Sequence, residues 1–123
     1  PLPELSRDAS EAVRELAKFR PAYQHIMEPM APGDYDHLPV RVFRPMFDGV
    51  LITNSGFDFA KATAYLKEGW ADAVAFGKLF ISNPDLVERF RRGGAAAALN
   101  PWDESTFYTP RAKGYTDYPA MAE

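Results

Sequence analysis

Apolar residues recur at helical spacing near the beginning of the chain, which predicts a first helix. Asp8 and Glu11 have the spacing of a capping box, and apolar side chains then follow every three or four residues to about Phe19. The next apolar run, 22–27, is short and is followed by a Glu-Pro pair, which predicts a buried strand leading into a polar loop.

The middle of the chain alternates between strand and helix patterns. Val40, Phe43 and Met46 share an apolar face, which predicts a short helix over residues 40–47 despite Pro45. Residues 49–53 form a continuous apolar run, as expected for a strand that is covered on both faces. Asp58 is placed to cap the next helix, and Gly69 is placed to end it.

A second strand and helix follow in the same order. Residues 71–76 predict another buried strand, which ends at Gly77. The segment Asn-Pro-Asp-Leu predicts a helix start with Asn83 as its cap, and two glycines at 93–94 end that helix. Strands that alternate with helices build right-handed parallel units, so the fold class is predicted to be α/β.

Composition and charge exclude several classes of function. The chain has 123 residues, 46% of them hydrophobic and 25% charged, as in one ordinary globular domain. Its net charge is −3, and its Lys and Arg residues form no basic stripe of the kind that binds nucleic acid. The lack of cysteine excludes thiolate zinc sites and fits a cytoplasmic protein. No apolar run approaches the roughly 18 residues of a membrane span, and the first residues do not resemble a signal peptide.

Two turns that follow predicted strands have the residue types of an anion site. They are Asn54-Ser55-Gly56 and Gly77-Lys78. Backbone N–H groups in such turns can bind an anion, and consecutive parallel strands of a barrel place their turns side by side. Together they suggest a phosphate site. The alternative is that the glycines only permit tight turns and that Lys78 is a solvated surface charge.

Aromatic and histidine residues offer further candidates. Phe107, Tyr108, Tyr115 and Tyr118 lie in the C-terminal tail, where they either cover a ligand or pack the tail against a core. His25, within an apolar strand, is expected to be a core histidine, and His37 is expected to be solvated. Neither histidine has a second ligand at suitable spacing, so no metal site is predicted.

The remaining charged residues are interpreted as surface groups. Glu68 and Asp72 flank the second strand of the middle region, and neither is assigned to acid–base chemistry. Arg89, Arg91 and Arg92 are expected to form the exposed end of a helix, where positive charge interacts favourably with the helix dipole.

Ordered sequence blocks resemble the C-terminal part of old yellow enzymes. The blocks are Ala-Phe-Gly-Lys at 75–78, Phe-Ile-Ser-Asn-Pro-Asp-Leu at 80–86, Thr-Phe-Tyr at 106–108 and Gly-Tyr-Thr-Asp-Tyr-Pro at 114–119. Upstream, residues 23–29 are similar to the sixth barrel strand of that family, so the resemblance spans nearly the whole chain.

The resemblance implies a fold, a reaction and cofactors. Old yellow enzymes are barrels that contain flavin mononucleotide (FMN) and transfer hydride from NADH or NADPH to activated alkenes such as enones, enals, maleimides and nitroalkenes. The fold class implied for residues 1–123 is therefore the C-terminal part, about strands 6 to 8, of one (β/α)8 TIM-barrel domain that is incomplete alone.

The resemblance also implies roles for individual residues. The turns at Asn54-Ser55-Gly56 and Gly77-Lys78 would bind the flavin phosphate, Phe107 would lie near the flavin ring, and Tyr108 would border the substrate pocket. Lys78 stands where the family usually has arginine, so it keeps the charge and loses the planar fork. A side chain at Ser55 is expected only if the backbone there avoids a positive φ.

No catalytic residue is expected in this segment. The family's substrate-binding histidine pair or histidine–asparagine pair and its proton-donating tyrosine match nothing here, and they belong to earlier strands. We therefore expect a complementary N-terminal chain or a longer parent polypeptide as partner. The alternatives are a non-catalytic barrel fragment or subunit that binds no flavin, and a half-barrel that associates with a second copy of itself.

Overall fold

The computed structural model describes residues 4–30, 38–110 and 112–122 of the chain. By its contacts the chain divides into two units, an N-terminal unit of residues 1–75 and a C-terminal unit of residues 76–123. The elements of the N-terminal unit are α1 Glu4–Ala17, β1 Tyr23–Met27, α2 Val40–Phe43, a 3₁₀ turn Arg44–Met46, β2 Val50–Asn54, α3 Phe59–Lys67 and β3 Ala73–Val74. Those of the C-terminal unit are α4 Lys78–Ser82, α5 Leu86–Gly93 and 3₁₀ turns at Gly94–Ala96 and Glu104–Thr106.

The N-terminal unit contains a three-stranded sheet in the order β1-β2-β3. Both pairings are parallel, with Tyr23 opposite Val50 and Ile52 opposite Ala73, which confirms the predicted α/β class. β3 is shorter than the predicted strand 71–76, because regular pairing covers only two residues of β2. Single backbone hydrogen bonds continue on either side, from Asp72 to Leu51 (2.8 Å) and from Ala75 to Thr53 (2.7 Å).

The predictions that β1 is a buried strand and that β2 is covered on both faces are wrong. In β2, Leu51 and Thr53 are fully buried, whereas Val50 is 45% exposed. In β1, Tyr23 is 55% exposed, and His25 is also exposed, so the expectation of a core histidine there is wrong. Within the described residues β1 pairs only with β2, and that leaves the backbone groups of its other edge unpaired.

Helix α3 follows its predicted signals. Asp58 caps it by accepting a hydrogen bond from the backbone of Lys61 at 2.8 Å, and Gly69 ends it with a φ of +70°. Tyr65 packs edge-to-face against two aromatic rings, Phe57 at 4.9 Å and Trp70 at 5.0 Å. The buried core of this unit also contains Val13, Val40, Phe43, Phe47, Leu51, Ala62 and Ala71.

Helix α1 begins earlier than its sequence signal indicates. It starts at Glu4, so Asp8 lies inside the helix and the predicted capping box is wrong. A cap requires non-helical backbone, whereas here the helix already includes the residues before Asp8. The short helix predicted at 40–47 is confirmed as α2 with its 3₁₀ turn, in which Pro45 occupies the first turn, where no N–H donor is needed.

The start of α5 differs from the prediction. Leu86 is its first residue, and Asn83 instead follows α4, a five-residue helix that the sequence pattern did not indicate. The Asn83 side chain donates to the Leu79 carbonyl at 2.9 Å and accepts from the Asn100 backbone at 2.7 Å, so it is not available as a cap. The predicted end of α5 at 93–94 is confirmed.

Three further expectations concern His37, membrane-spanning helices and metal sites. His37 lies outside the described residues. None of the helices described in 4–30, 38–110 and 112–122 is long and apolar enough to cross a membrane. The same residues contain no group of three His, Cys, Asp or Glu side chains arranged to hold a metal ion.

Candidate functional site

The turn after β2 carries two consecutive residues with left-handed backbone. Ser55 has a φ of +78° and Gly56 a φ of +64°. The condition for an unstrained side chain at Ser55, a backbone without a positive φ, is therefore not met, and the turn stores strain of about 1–3 kcal/mol at this serine. Such strain persists when the surrounding structure fixes the backbone and is common at ligand sites. Lys61, which the sequence analysis missed, donates to the Gly56 carbonyl at 3.4 Å and adds a positive charge beside the turn.

A buried carboxylate fixes the strand ends next to this turn. Glu28 is only 2% exposed. It accepts hydrogen bonds from the Val40 backbone at 2.7 Å and from the Tyr65 hydroxyl at 3.3 Å. The Thr53 hydroxyl lies 3.4 Å from Glu28 and donates to the Ile26 carbonyl at 2.9 Å, which joins β1 to β2. Burial, followed by the nearby Glu28 charge, raises the pKa of Tyr65 above its ordinary value.

Glu28 was not singled out from the sequence. Its signal was a carboxylate directly after an apolar strand and directly before a proline, a position that is compatible with a loop as well as with a core. Only the packing of Tyr65 and α2 over it shows that it is buried and hydrogen-bonded.

The C-terminal unit contains an open cavity of about 470 Å³. Four of the predicted site residues, Gly77, Lys78, Phe107 and Tyr108, lie together in its wall. The other three predicted site residues, Asn54, Ser55 and Gly56, belong to the N-terminal unit. The rest of the wall is formed by Phe80, Ile81, Pro84, Thr106, Gly114 and Tyr115.

Gly77 and Gly56 are glycines for different physical reasons. Gly56 has a positive φ, as the tight-turn alternative requires. Gly77 has a negative φ of −87°, but its ψ of −87° lies outside the α and β regions that other residues prefer. A Cβ added there would meet no atom within 4 Å, so packing within the described residues does not demand glycine at position 77. Gly77 therefore leaves open space in the cavity wall, and its backbone is also compatible with the tight-turn alternative.

Lys78 forms an ion pair with Glu104 and also lies near an aromatic ring. Its Nζ is 5.7 Å from the centroid of Trp102, and its hydrogen bond holds the pKa of Glu104 below the usual range. Both members of the ion pair are more than half exposed, so the interaction is weak and screened. An anion that binds Lys78 more strongly than Glu104 does can therefore displace the Glu104 carboxylate.

Two aromatic residues of the tail, Tyr108 and Tyr115, do not pack into a core, whereas Tyr118 is half-buried. Tyr108 is 94% exposed and has a φ of +62°, and Tyr115 is 57% exposed. The alternative in which these tyrosines pack the tail against a core is therefore wrong for both of them. Phe107 is half-buried in the cavity wall. Exposed aromatic faces around a cavity suit a flat ligand.

The charged residues on α5 divide into two groups. Arg91 and Arg92 are exposed, as predicted, and their hydrogen bonds lower the pKa of Glu88 to about 2. Arg89 is only 5% exposed, so its predicted exposure is wrong. Its guanidinium is buried because it bonds to Asp85 and to two backbone carbonyls.

Glu68 and Asp72, which the sequence analysis interpreted as surface groups, are both exposed, in agreement with that prediction. Asp72 pairs with Arg44 at 2.8 Å and accepts from the Leu51 backbone at 2.8 Å, which gives it a structural contact.

Comparison with known proteins places the chain in a family. No family model matches it. A rice (Oryza sativa subsp. japonica) protein named putative 12-oxophytodienoate reductase 10 is 43% identical over an alignment of 109 residues, and the alignment covers 80% of this chain and 33% of the relative. The solved structure of morphinone reductase in complex with tetrahydroNAD superposes with a TM-score of 0.78 and 43% identity, covering 93% of this chain and 30% of that one. The chain belongs to the old yellow enzyme family.

Other solved members of the family give the same result. The old yellow enzyme homologue from Zymomonas mobilis superposes with a TM-score of 0.81 and 34% identity, covering 91% of this chain and 32% of that chain. These neighbours are TIM-barrel oxidoreductases, and the chain resembles a C-terminal segment of them. It spans about a third of the length of the curated relatives that it matches.

Proposed function

We propose that this chain is a segment of an NAD(P)H-dependent flavin ene-reductase that reduces activated C=C bonds in enones, enals, maleimides or nitroalkenes. The observation that carries the proposal is the cavity in which Gly77, Lys78, Phe107 and Tyr108 lie together. Its wall combines a cation, an open glycine and exposed aromatic rings, as a flat ligand with an anionic group requires. The relatives named as reductases support the same chemistry.

The residues present suit FMN as the cofactor. In this proposal Gly77 and Lys78 contact the flavin phosphate, and the open space beside Gly77 admits the ligand. The turn at 54–56 contributes to phosphate binding, with Lys61 as an additional charge. Phe107 lies beside the ring, and Tyr108 borders the substrate. When bound, the flavin supplies hydride transfer, and NADH or NADPH is the reductant.

A complementary partner is part of the proposal. We place the three parallel strands at about positions 6 to 8 of a (β/α)8 barrel, within a single domain. β1 leaves an edge uncovered in the described residues, and Tyr23 and Met27 are exposed beside it. A complementary N-terminal chain, or the parent polypeptide, would cover that edge and supply the groups that activate and protonate the substrate.

Native mass spectrometry of the intact protein tests this proposal. The expected spectrum contains one FMN per chain together with the complementary segment, and the sample reduces an enone with NADH or NADPH. A flavin-free species that takes up no added FMN would overturn the proposal. That result would favour the alternative, a non-catalytic barrel fragment or subunit.

A further inference from the structure

The C-terminal tail, residues 100–122, contributes much of the cavity wall. Phe107, Tyr108 and Tyr115 all come from it. Its only regular element among the described residues is the 3₁₀ turn Glu104–Thr106. A segment without a strand or longer helix has no backbone ladder to hold it, so side chains must fix its position.

A buried arginine on α5 provides one set of these contacts. The Arg89 guanidinium donates from Nε to Asp85 at 2.6 Å, from Nη1 to the Ala98 carbonyl at 2.7 Å and from Nη2 to the Pro119 carbonyl at 2.9 Å. One rigid planar cation therefore connects α5 to the chain on both sides of the cavity-lining residues of the tail, at Ala98 before them and at Pro119 after them. A lysine could not reproduce this geometry, because it lacks the planar fork.

Asp85 adds a second attachment point. One carboxylate oxygen accepts from Arg89, and the other accepts from the Met121 backbone N–H at 2.7 Å. Together, Asp85 and Arg89 hold the tail at Pro119 and Met121, and we call these four residues the tail clasp. Asn100 supports it by donating to the Pro119 carbonyl at 2.8 Å.

We propose that Asp85 and Arg89 are positioning residues for the ligand cavity. Neither lines the cavity, so they act through the tail, by selecting the one conformation that brings Phe107 and Tyr115 into the wall. A buried ion pair is a poor source of stability compared with apolar packing, whereas its directional hydrogen bonds specify a single arrangement. The identity of the ligand, FMN, rests on the proposed function above.

The test compares Arg89→Lys with a matched control, Arg91→Lys, in the intact protein. Arg91 lies on the same helix but is exposed and pairs only with Glu88 among the described residues. Backbone amide exchange is measured across 112–122, together with the FMN dissociation constant and the flavin absorbance spectrum at saturating FMN. We expect Arg89→Lys to raise exchange at Met121 and at 114–116, to weaken FMN binding about tenfold and to shift the spectrum. The control should change none of these.

Asp85→Asn is the second variant, and it decides the question if Arg89→Lys does not fold. It keeps an oxygen for Met121 but removes the charge facing Arg89, so a smaller change in the same direction is expected. Faster exchange confined to residues 120–121, with 114–116 unchanged, would overturn the proposal, because the clasp would then hold only the end of the tail. Unchanged FMN affinity and spectrum with a loosened tail would also overturn it. If the unaltered protein binds no FMN, the proposed function fails, and exchange at 114–116 still decides whether the clasp positions the cavity wall.

Discussion

The two units hold their candidate site residues in different ways. In the N-terminal unit, the turn at 54–56 follows a strand of a parallel sheet and lies next to the buried Glu28 cluster. In the C-terminal unit, Phe107 and Tyr108 belong to an irregular tail that side-chain hydrogen bonds attach to α5. A sheet fixes its turns through backbone pairing, whereas a tail depends on a few directional side chains.

This difference predicts where substitutions act. Changes around the turn should mainly alter the free energy of unfolding, because the residues that support it are part of the core. Changes around the cavity should mainly alter ligand binding, because its wall contains open space and exposed groups. Substitutions at the two places should therefore separate effects on stability from effects on ligand binding.

Glu28→Gln should lower the free energy of unfolding by about 1–3 kcal/mol. The amide keeps the shape of the side chain but loses the charge and replaces an acceptor oxygen with a donor, which leaves the Val40 N–H or the Tyr65 hydroxyl unsatisfied. Urea denaturation measures the change. Glu68→Gln, at an exposed position, is the control and should change stability by less than about 0.5 kcal/mol. Equal stability of the two variants would contradict a supporting role for Glu28.

Gly77→Val should weaken FMN binding about tenfold, equivalent to about 1.4 kcal/mol, with a small loss of stability. The added side chain enters space that is empty in the protein but is needed by the ligand, and the ψ of −87° lies outside the regions that valine prefers. Fluorescence titration with FMN and thermal unfolding measure the two effects.

Gly69→Ala is the matched control for this variant. Its space is also open, but its φ of +70° makes an alanine strained, so stability should fall by about 1 kcal/mol with FMN affinity unchanged. If Gly77→Val bound FMN normally, Gly77 would have no role in the cavity.

Ser55→Gly should raise the free energy of unfolding by about 1 kcal/mol. Glycine adopts the observed φ of +78° without steric cost. Thermal unfolding measures the gain, and Ser55→Ala, which keeps the Cβ, should show none. A gain with alanine instead would mean that the hydroxyl, rather than the backbone, is unfavourable.

Asp72 should make a small contribution to acid sensitivity. The Leu51 backbone N–H, together with Arg44, holds the pKa of this carboxyl below its ordinary value of 3.8. A lowered pKa in the folded state means that its contribution is present above pH 3.8 and is lost as the pH falls through the folded pKa. Asp72→Asn should therefore flatten the acid limb of a stability–pH curve, with Glu68→Gln as the control. An unchanged acid limb would contradict this assignment.

The amino-acid sequence determined the local elements and the family. The Asp58 cap, the Gly69 stop and the strand patterns predicted α3, β1 and β2 close to their observed bounds, because such signals act through neighbouring residues. The blocks at 75–86, 106–108 and 114–119 indicated old yellow enzymes, and the comparisons confirm this. They also selected four residues that the structure brings into one cavity.

Tertiary structure alone decided which polar residues are buried. Glu28 and Arg89 have the composition of surface residues, and only packing against distant segments supplies the partners that permit their burial. Tertiary structure also decided that the side chain of Asn83 bonds to Asn100 instead of capping a helix. It likewise decided that His25 is exposed on β1 rather than buried in a core. Sequence patterns report local periodicity, whereas burial of a charge depends on partners that are remote along the chain.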